Sequence, residues 1–165
     1  FGVGERLITA RSEPVFGGVY KLAAVEDENG NIIPKIKISE NVSKITNPHF
    51  KKTYRLFSKR TGKAIADYIC VHDEVIDESQ PLTIFDPMAT WKHKTLTDYE
   101  VPVFLKGKLV YEQPSLKEIR DYCAQEVDTL WEEVKRFDNP HAYYVDLSKR
   151  LWDIKHQLLE ANSYN

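Results

Sequence analysis

Residues 54–71 read YRLFSKRTGKAIADYICV and have the pattern of a β-hairpin. Two segments rich in aromatic and β-branched residues, 54–57 and 64–71, flank the polar sequence KRTGK at 59–63. A short polar connection that contains glycine between two such segments is typical of a turn between antiparallel strands. We therefore predict that this stretch forms two paired strands.

A second hairpin is predicted on the N-terminal side, around the sequence DENGN at 27–31. The step from Asn29 to Gly30 is a strong hairpin signal, because both residue types accept a positive φ. Its strands are predicted at 19–25 and 33–38. Shorter strands are predicted further along the chain, at 82–85, 90–94 and 101–105.

The last third of the chain has the periodicity of helices. Ser115 and Glu118 predict a capping box at the start of a first helix, which Asn139 and Pro140 end. Apolar residues recur along it at spacings of three and four: Leu116, Ile119, Cys123, Val127, Leu130, Val134 and Phe137. A second helix follows Asp146, its predicted N-cap. We expect the two helices to pack as a hairpin against the sheet.

The composition is that of a soluble globular chain, with 42% hydrophobic residues, 29% charged residues and a net charge of −2 over 165 residues. Nothing in this charge balance indicates nucleic acid or an acidic membrane surface as a partner, and no apolar run approaches a membrane span. Cys70 and Cys123 lie in apolar patterns and are predicted to be buried thiols; a disulfide between them is the less favoured alternative. The five histidines show no zinc-ligand spacing, so no metal site is predicted.

Residues 1–22, FGVGERLITARSEPVFGGVYKL, carry the candidate functional motif. Gly2 and Gly4 can take a positive φ and present backbone N–H groups, which form a phosphate site where they lead into a helix. Lys21 follows shortly after a second glycine pair and would add a cation. The other interpretation is a plain structural turn, since glycines at alternate positions are common in turns.

Several stretches of the sequence, taken together, resemble the C-terminal portion of nicotinate phosphoribosyltransferases. In chain order they are FGVGERLITA (1–10), FGGVYKLAAVED (16–27), KIKISENVSKIT (35–46), YRLFSKRTGKAIADY (54–68), TWKH (90–93) and QPSLKEIRDY (113–122). The resemblance implies an α+β fragment in three parts. Residues 1–18 would be the last phosphate-loop segment of an irregular α/β barrel, 19–112 a mainly antiparallel β region of hairpins, and 113–165 a C-terminal helical hairpin. Because the chain begins inside the motif, we expect that it has been cut from a longer polypeptide.

The resemblance also implies which residues bind the phosphates of the ribosyl donor: Gly2, Val3, Gly4, Arg6 and Lys21. Many relatives carry Thr where this chain has Glu5, and since a carboxylate repels a phosphate, Glu5 is expected to point away from it. Lys21 would act in its own active site or in that of a neighbouring subunit. Without the resemblance, a lysine at the edge of a strand with its charge in solvent fits the pattern better.

A basic rim is implied at Arg11, Lys37 and Lys44. A donor with several negative charges needs cations at both ends, so such a rim would help to capture it. The alternative from the residues alone is the solvated face of a hairpin.

The implied reaction is transfer of a 5-phosphoribosyl group from phosphoribosyl pyrophosphate to nicotinate, with coupled ATP hydrolysis, in cytoplasmic NAD salvage. The implied cofactors, ATP and Mg²⁺, would be bound mostly by a part outside this chain. The catalytic histidine belongs to that part as well, so no catalytic residue is assigned and the piece alone is expected to be inactive. The expected partners are nicotinate, phosphoribosyl pyrophosphate, the remainder of the same polypeptide and a second copy in a homodimer. Preference for nicotinate over nicotinamide rests on the resemblance alone. The alternative is a non-catalytic structural or dimerisation module.

Overall fold

The computed structural model describes residues 18–85, 88–91, 94–98 and 100–162. Within these ranges the chain forms ten strands, two α-helices and a short 3-10 turn at Val42–Lys44. The strands are β1 (Ala24–Glu26), β2 (Ile32–Pro34), β3 (Lys51–Ser58), β4 (Ala64–Val71), β5 (Leu82–Phe85), β6 (Met88–Trp91), β7 (Lys94–Asp98), β8 (Phe104–Leu105), β9 (Lys108–Leu109) and β10 (Tyr144–Leu147). The helices are α1 (Leu116–Thr129) and α2 (Lys149–Asn162).

The main sheet has four strands in the order β10-β4-β3-β7. β3 and β4 pair antiparallel from Lys51 opposite Val71 to Phe57 opposite Ala64, and Gly62 in their connection has a φ of 67°. This confirms the hairpin predicted from residues 54–71. β7 pairs antiparallel with the free edge of β3, while β10 pairs parallel with β4.

The hairpin of β1 and β2 is also confirmed, with shorter strands than predicted. Gly30 has a φ of 81° in its turn, and Asp27 Oδ1 accepts hydrogen bonds from the backbone N–H groups of Asn29 at 2.9 Å and Asn31 at 2.8 Å. The side-chain hydrogen bond from Asn31, together with these backbone bonds, lowers the pKa of Asp27. The turn is therefore stabilised by an ionised aspartate.

Two of the shorter strand predictions need correction. β5 occupies the predicted residues 82–85, but in the predicted strand 90–94 the residues Thr90 and Trp91 end β6, whereas Lys94 begins β7. The strand predicted at 101–105 is reduced to Phe104–Leu105, where it pairs with β9 across a turn. Lys106 and Gly107 both have positive φ in that turn, at 48° and 75°, which is the conformation of a tight two-residue hairpin.

The core lies on both faces of β4, because successive residues of a strand point to opposite sides. On one face Tyr68 and Cys70 pack with Leu56 of β3. On the other face Val71 packs with Leu147 of β10 and Leu151 of α2. The predicted burial of Cys70 is confirmed, whereas Cys123 is exposed on α1, so that prediction is wrong.

The start of α1 is confirmed and its end is corrected. The backbone N–H of Ser115 donates to Glu118 Oε2 at 2.7 Å, and the backbone N–H of Glu118 donates to Ser115 Oγ at 3.3 Å, which is a capping box. The helix ends at Thr129, well before the predicted stop at Asn139 and Pro140. At that end the Thr129 hydroxyl donates to the Glu126 carbonyl, and the Lys63 ammonium donates to the Asp128 carbonyl. These bonds satisfy carbonyl groups that a longer helix would have paired internally.

The predicted helical hairpin is corrected as well, because β10 lies between α1 and α2 and enters the main sheet. Asp146, the predicted N-cap, is a β10 residue with only 3% of its surface exposed. The side chain that caps α2 is Ser148, whose Oγ accepts from the Leu151 backbone N–H at 3.1 Å. The Ser148 hydroxyl also donates to Glu74 Oε2 at 2.7 Å, which ties the cap to the segment after β4.

A charged cluster joins α1 to the sheet. Arg55 of β3 binds the paired residue Asp67 of β4 through two hydrogen bonds, Nε to Oδ1 at 2.7 Å and Nη2 to Oδ2 at 3.0 Å. Its Nη1 donates to Glu126 Oε2 of α1 at 2.8 Å, and Tyr143 donates its hydroxyl to Asp67 at 3.0 Å. Burial, followed by the nearby Asp67 charge, raises the pKa of Tyr143, which keeps it a donor. We call these four residues the Arg55 cluster.

Candidate functional site

The predicted phosphate loop falls outside the described residues. Gly2, Val3, Gly4, Arg6 and Arg11 all lie in residues 1–17. Their roles therefore stay predictions. Lys21, Lys37 and Lys44 lie within the described ranges.

Lys21 lies in the segment that leads into β1, and its side chain is exposed. Its Nζ donates to the carbonyl oxygen of the neighbouring Tyr20 at 3.2 Å. Such a local hydrogen bond at the surface contributes little net free energy, because water can replace either partner. The ammonium is therefore accessible to an anion.

Lys37 and Lys44 lie on the loop that connects β2 to β3, and both side chains are exposed. The loop is closed by its own polar groups: the Lys37 backbone N–H donates to Thr46 Oγ1 at 3.2 Å. Asn41 accepts from the Ser43 backbone N–H at 3.0 Å and so caps the 3-10 turn that contains Lys44. The backbone is thus fixed while the two charges remain in solvent.

One carbonyl group joins this loop to the segment of Lys21. The Ala23 oxygen accepts from the Lys35 N–H at 2.8 Å and from the His49 N–H at 2.7 Å, at the two ends of the loop. Lys21 lies two residues before Ala23, and Lys37 lies two residues after Lys35. The structure therefore brings these two predicted cations onto adjoining backbone, although they are 16 residues apart in the sequence.

A cavity of about 380 Å³ lies between the same loop and α2. Val42 and Ile45 line it from the loop, and Trp152, Lys155 and His156 line it from α2. The His156 ring stacks on Trp152 with centroids 3.6 Å apart. The walls are thus partly apolar and aromatic, with polar groups at defined positions.

The polar side chains of this cavity come from distant parts of the sequence. Lys155 donates to Asn47 Oδ1 at 2.8 Å across 108 residues, and burial lowers the pKa of its ammonium. Asp146 of β10 also borders the cavity, but its carboxylate lies on the Tyr68 face of the sheet and accepts from the Leu147 backbone N–H at 2.7 Å. An ammonium and an imidazole beside apolar and aromatic walls suit a small polar molecule. Sequence reasoning missed this group because no local pattern relates Asn47 to Lys155.

A second cavity, of about 370 Å³, lies beside the β1–β2 turn. It is lined in part by His49, His72 and the ion pair of Arg150 with Asp73, whose shortest contact is 2.6 Å. The hydrogen bond from Arg150 lowers the pKa of Asp73. Phe50 stacks on His72 with centroids 4.2 Å apart, so this imidazole is fixed by an aromatic ring.

Among the described residues, no three His, Cys, Asp or Glu side chains lie close enough together to hold a metal ion. In the same part of the chain, neither helix combines the length and apolar character needed to cross a membrane.

Comparison with known proteins identifies the family that this chain matches. The family model described as the nicotinate phosphoribosyltransferase C-terminal domain matches residues 50–155. Nicotinate phosphoribosyltransferase of Bacillus subtilis (strain 168) is 39% identical over 162 residues, which are 95% of this chain and 33% of that protein. The Dictyostelium discoideum enzyme of the same name is 32% identical over 96% of this chain and 28% of its own length. The chain thus spans about a third of the length of the curated relatives it matches.

A solved structure shows a similar fold. The crystal structure of human nicotinic acid phosphoribosyltransferase aligns with a TM-score of 0.61 and 23% identity, over 69% of this chain and 24% of that one. The matched family model covers the main sheet, α1, β10 and the first half of α2. From this match over well more than half of its residues, the chain belongs to the nicotinate phosphoribosyltransferase family and carries the family's C-terminal domain.

Proposed function

We propose that this chain is the C-terminal part of a cytoplasmic nicotinate phosphoribosyltransferase. The complete enzyme would form nicotinate mononucleotide from nicotinate and phosphoribosyl pyrophosphate, with coupled ATP hydrolysis, as a step of NAD salvage. The observation that carries the proposal is the family match over residues 50–155, together with relatives of that name over nearly the whole chain. Homodimer formation is part of the same proposal.

The contribution proposed for this chain is electrostatic stabilisation of the charges that develop in the reaction. Transfer of a phosphoribosyl group develops positive charge on the ribose and negative charge on the departing pyrophosphate, so fixed N–H groups and cations stabilise the reaction. The loop at Gly2, Val3 and Gly4 would supply the N–H groups, and Lys21 a cation. The hydrogen bonds at Ala23 support this role because they fix the backbone on which Lys21 and Lys37 are carried.

ATP and Mg²⁺ are proposed to bind outside the described residues. A magnesium ion requires carboxylate or other oxygen ligands converging on one point. The described part of the chain offers no such convergence of acidic side chains.

The first prediction concerns activity. The complete enzyme, meaning the full-length protein of which this chain would be the C-terminal part, is expected to convert nicotinate and phosphoribosyl pyrophosphate to nicotinate mononucleotide. The 165-residue chain alone is expected to yield none, because the nicotinate pocket and the catalytic histidine would lie in the missing part. Chromatographic assay of the nucleotide measures both. Product from the isolated chain would contradict the assignment, as would a complete enzyme that accepts only nicotinamide.

The second prediction concerns Lys21. In the complete enzyme, Lys21→Ala is expected to raise the KM for phosphoribosyl pyrophosphate about tenfold, because it removes one charge-assisted hydrogen bond to a phosphate. The KM for nicotinate should change much less, since Lys21 would contact only the donor. Steady-state kinetics with each substrate varied in turn separates the two constants.

Lys59→Ala is the matched control, because Lys59 in the β3–β4 connection is also an exposed lysine. It is expected to leave both KM values unchanged. The rival proposal, a non-catalytic structural or dimerisation module, is favoured by the exposed apolar side chains of α1. Under that rival, Lys21→Ala changes only stability or oligomeric state, and both KM values stay the same.

A further inference from the structure

The helix α1 carries an apolar face that nothing in the described chain covers. Its residues Leu116, Ile119, Cys123 and Val127 recur at spacings of three and four and so lie on one side of the helix. All four are exposed, with exposed fractions of 73% for Leu116, 41% for Ile119 and 46% for Val127. None of the residues of α1 is buried. We call these four residues the open stripe.

The contacts that hold α1 to the sheet involve polar groups at its C-terminal end. Glu126 binds Arg55, and the Asp128 carbonyl accepts from Lys63. The capping box at the other end fixes the start of the helix through its own side chains. The start of the helix is therefore fixed by its capping box and its end is attached to the sheet, yet its apolar stripe is exposed to solvent. A stripe of this kind is normally the part of a helix that packs against a core.

The hairpin of β8 and β9, which precedes α1 in the chain, shows the same property. Phe104 and Leu109 are cross-strand partners and are 65% and 63% exposed. Val103 and Val110, joined by a backbone hydrogen bond of 2.9 Å, are also exposed. An isolated two-stranded hairpin is at best marginally stable in water, so a short hairpin with three exposed apolar strand residues, Phe104, Leu105 and Leu109, indicates a surface that another layer covers.

We infer that the open stripe and the β8–β9 hairpin form the docking surface for the preceding two thirds of the same polypeptide. This inference rests on the proposed function, because it takes the complete protein to be about three times as long as this chain, as its relatives are. The partner is an apolar patch with charges at its border, since Arg120 and Asp128 flank the shallow groove along Cys123 and Val127. A second copy that paired through α1 alone would leave Phe104 and Leu109 in water.

Cys123 provides a direct probe of this surface, because it lies in the middle of the open stripe. In the complete enzyme its thiol is expected to react with a maleimide at least tenfold more slowly than an exposed thiol, since labelling must wait for local opening. Peptide mass spectrometry locates the label and gives the rate at each cysteine. Cys70, which is fully buried, is the internal reference for a protected thiol.

Two variants of the complete enzyme test the surface itself. Ile119→Lys with Val127→Lys keeps good helix formers but places charges in the contact, so labelling of Cys123 is expected to accelerate at least tenfold. Gln125→Lys adds a charge to an exposed position on the opposite side of α1 and is expected to leave the rate unchanged. Equal acceleration by both changes would overturn the inference.

The remaining outcomes distinguish the occupants and the two proposals. Fast labelling of Cys123 in the unsubstituted complete enzyme overturns the docking surface, even if nicotinate mononucleotide is formed. Protection that disappears on dilution, in step with dissociation measured by light scattering, identifies a second copy as the occupant and overturns the inference. Protection at all concentrations in an enzyme that forms no nicotinate mononucleotide supports the docking surface and refutes the proposed function.

Discussion

Replacing Leu151 with alanine is expected to lower the free energy of unfolding of the chain by about 3 kcal/mol. Leu151 is the fully buried residue of α2 and packs against Val71 of β4 and Leu147 of β10. The substitution removes this apolar contact and leaves a cavity between helix and sheet. Helix propensity does not add to the loss, because alanine is the best helix former. Urea unfolding followed by circular dichroism measures the change.

Gln157→Ala is the control for this prediction, because Gln157 is exposed on the same helix. It is expected to change the free energy of unfolding by less than about 0.5 kcal/mol, as is usual for surface substitutions. A loss of less than about 1 kcal/mol for Leu151→Ala would show that α2 is not packed on the sheet as described, since a filled core site loses at least the transfer free energy of the deleted atoms.

Replacing Arg55 with methionine is expected to cost about 2 to 3 kcal/mol, because it leaves the two carboxylates of the Arg55 cluster without their common cation. The side chains of Arg55 and Asp67 are each 19% exposed, so solvent replaces the lost partner poorly. Methionine keeps much of the apolar stem of the arginine, and the loss therefore reports mainly on the charge. Urea unfolding again gives the difference.

Lys117→Met provides the matched control at an exposed ion pair. Lys117 binds Asp121 one helical turn away, with the lysine side chain 84% exposed, and such pairs contribute about 0.5 kcal/mol or less. A double-mutant cycle of Arg55→Met with Glu126→Gln then isolates the contact that holds α1 to the sheet. Strictly additive effects would refute the role of Glu126 in that attachment.

The candidate site was only partly accessible to sequence reasoning. The resemblance identified Lys21, Lys37 and Lys44, and the structure places all three at the surface, with Lys21 and Lys37 on backbone that shares the Ala23 carbonyl. The cavity between the β2–β3 loop and α2 was not predicted. Its paired polar side chains, Asn47 and Lys155, are 108 residues apart in the sequence, and Asp146 of the adjoining strand was interpreted as a helix cap.

The sequence by itself determined the features whose causes lie within a few neighbouring residues. The turn at Gly30, the β3–β4 hairpin and the capping box of Ser115 with Glu118 all follow from local backbone preferences and side-chain hydrogen bonds. The same sequence also determined membership of the family, since the matched residues are spread along the chain.

Only the tertiary structure decided where α1 ends, that β10 separates the helices, and that no described part of the chain covers the open stripe. Lys63 reaches the end of α1 from the β3–β4 connection, and β10 is a strand because it pairs with β4, 78 residues earlier at Tyr144 and Ala66. Helical periodicity identifies an apolar stripe but does not say what will cover it. These features depend on contacts between distant residues, whose free energies appear only when the chain is folded.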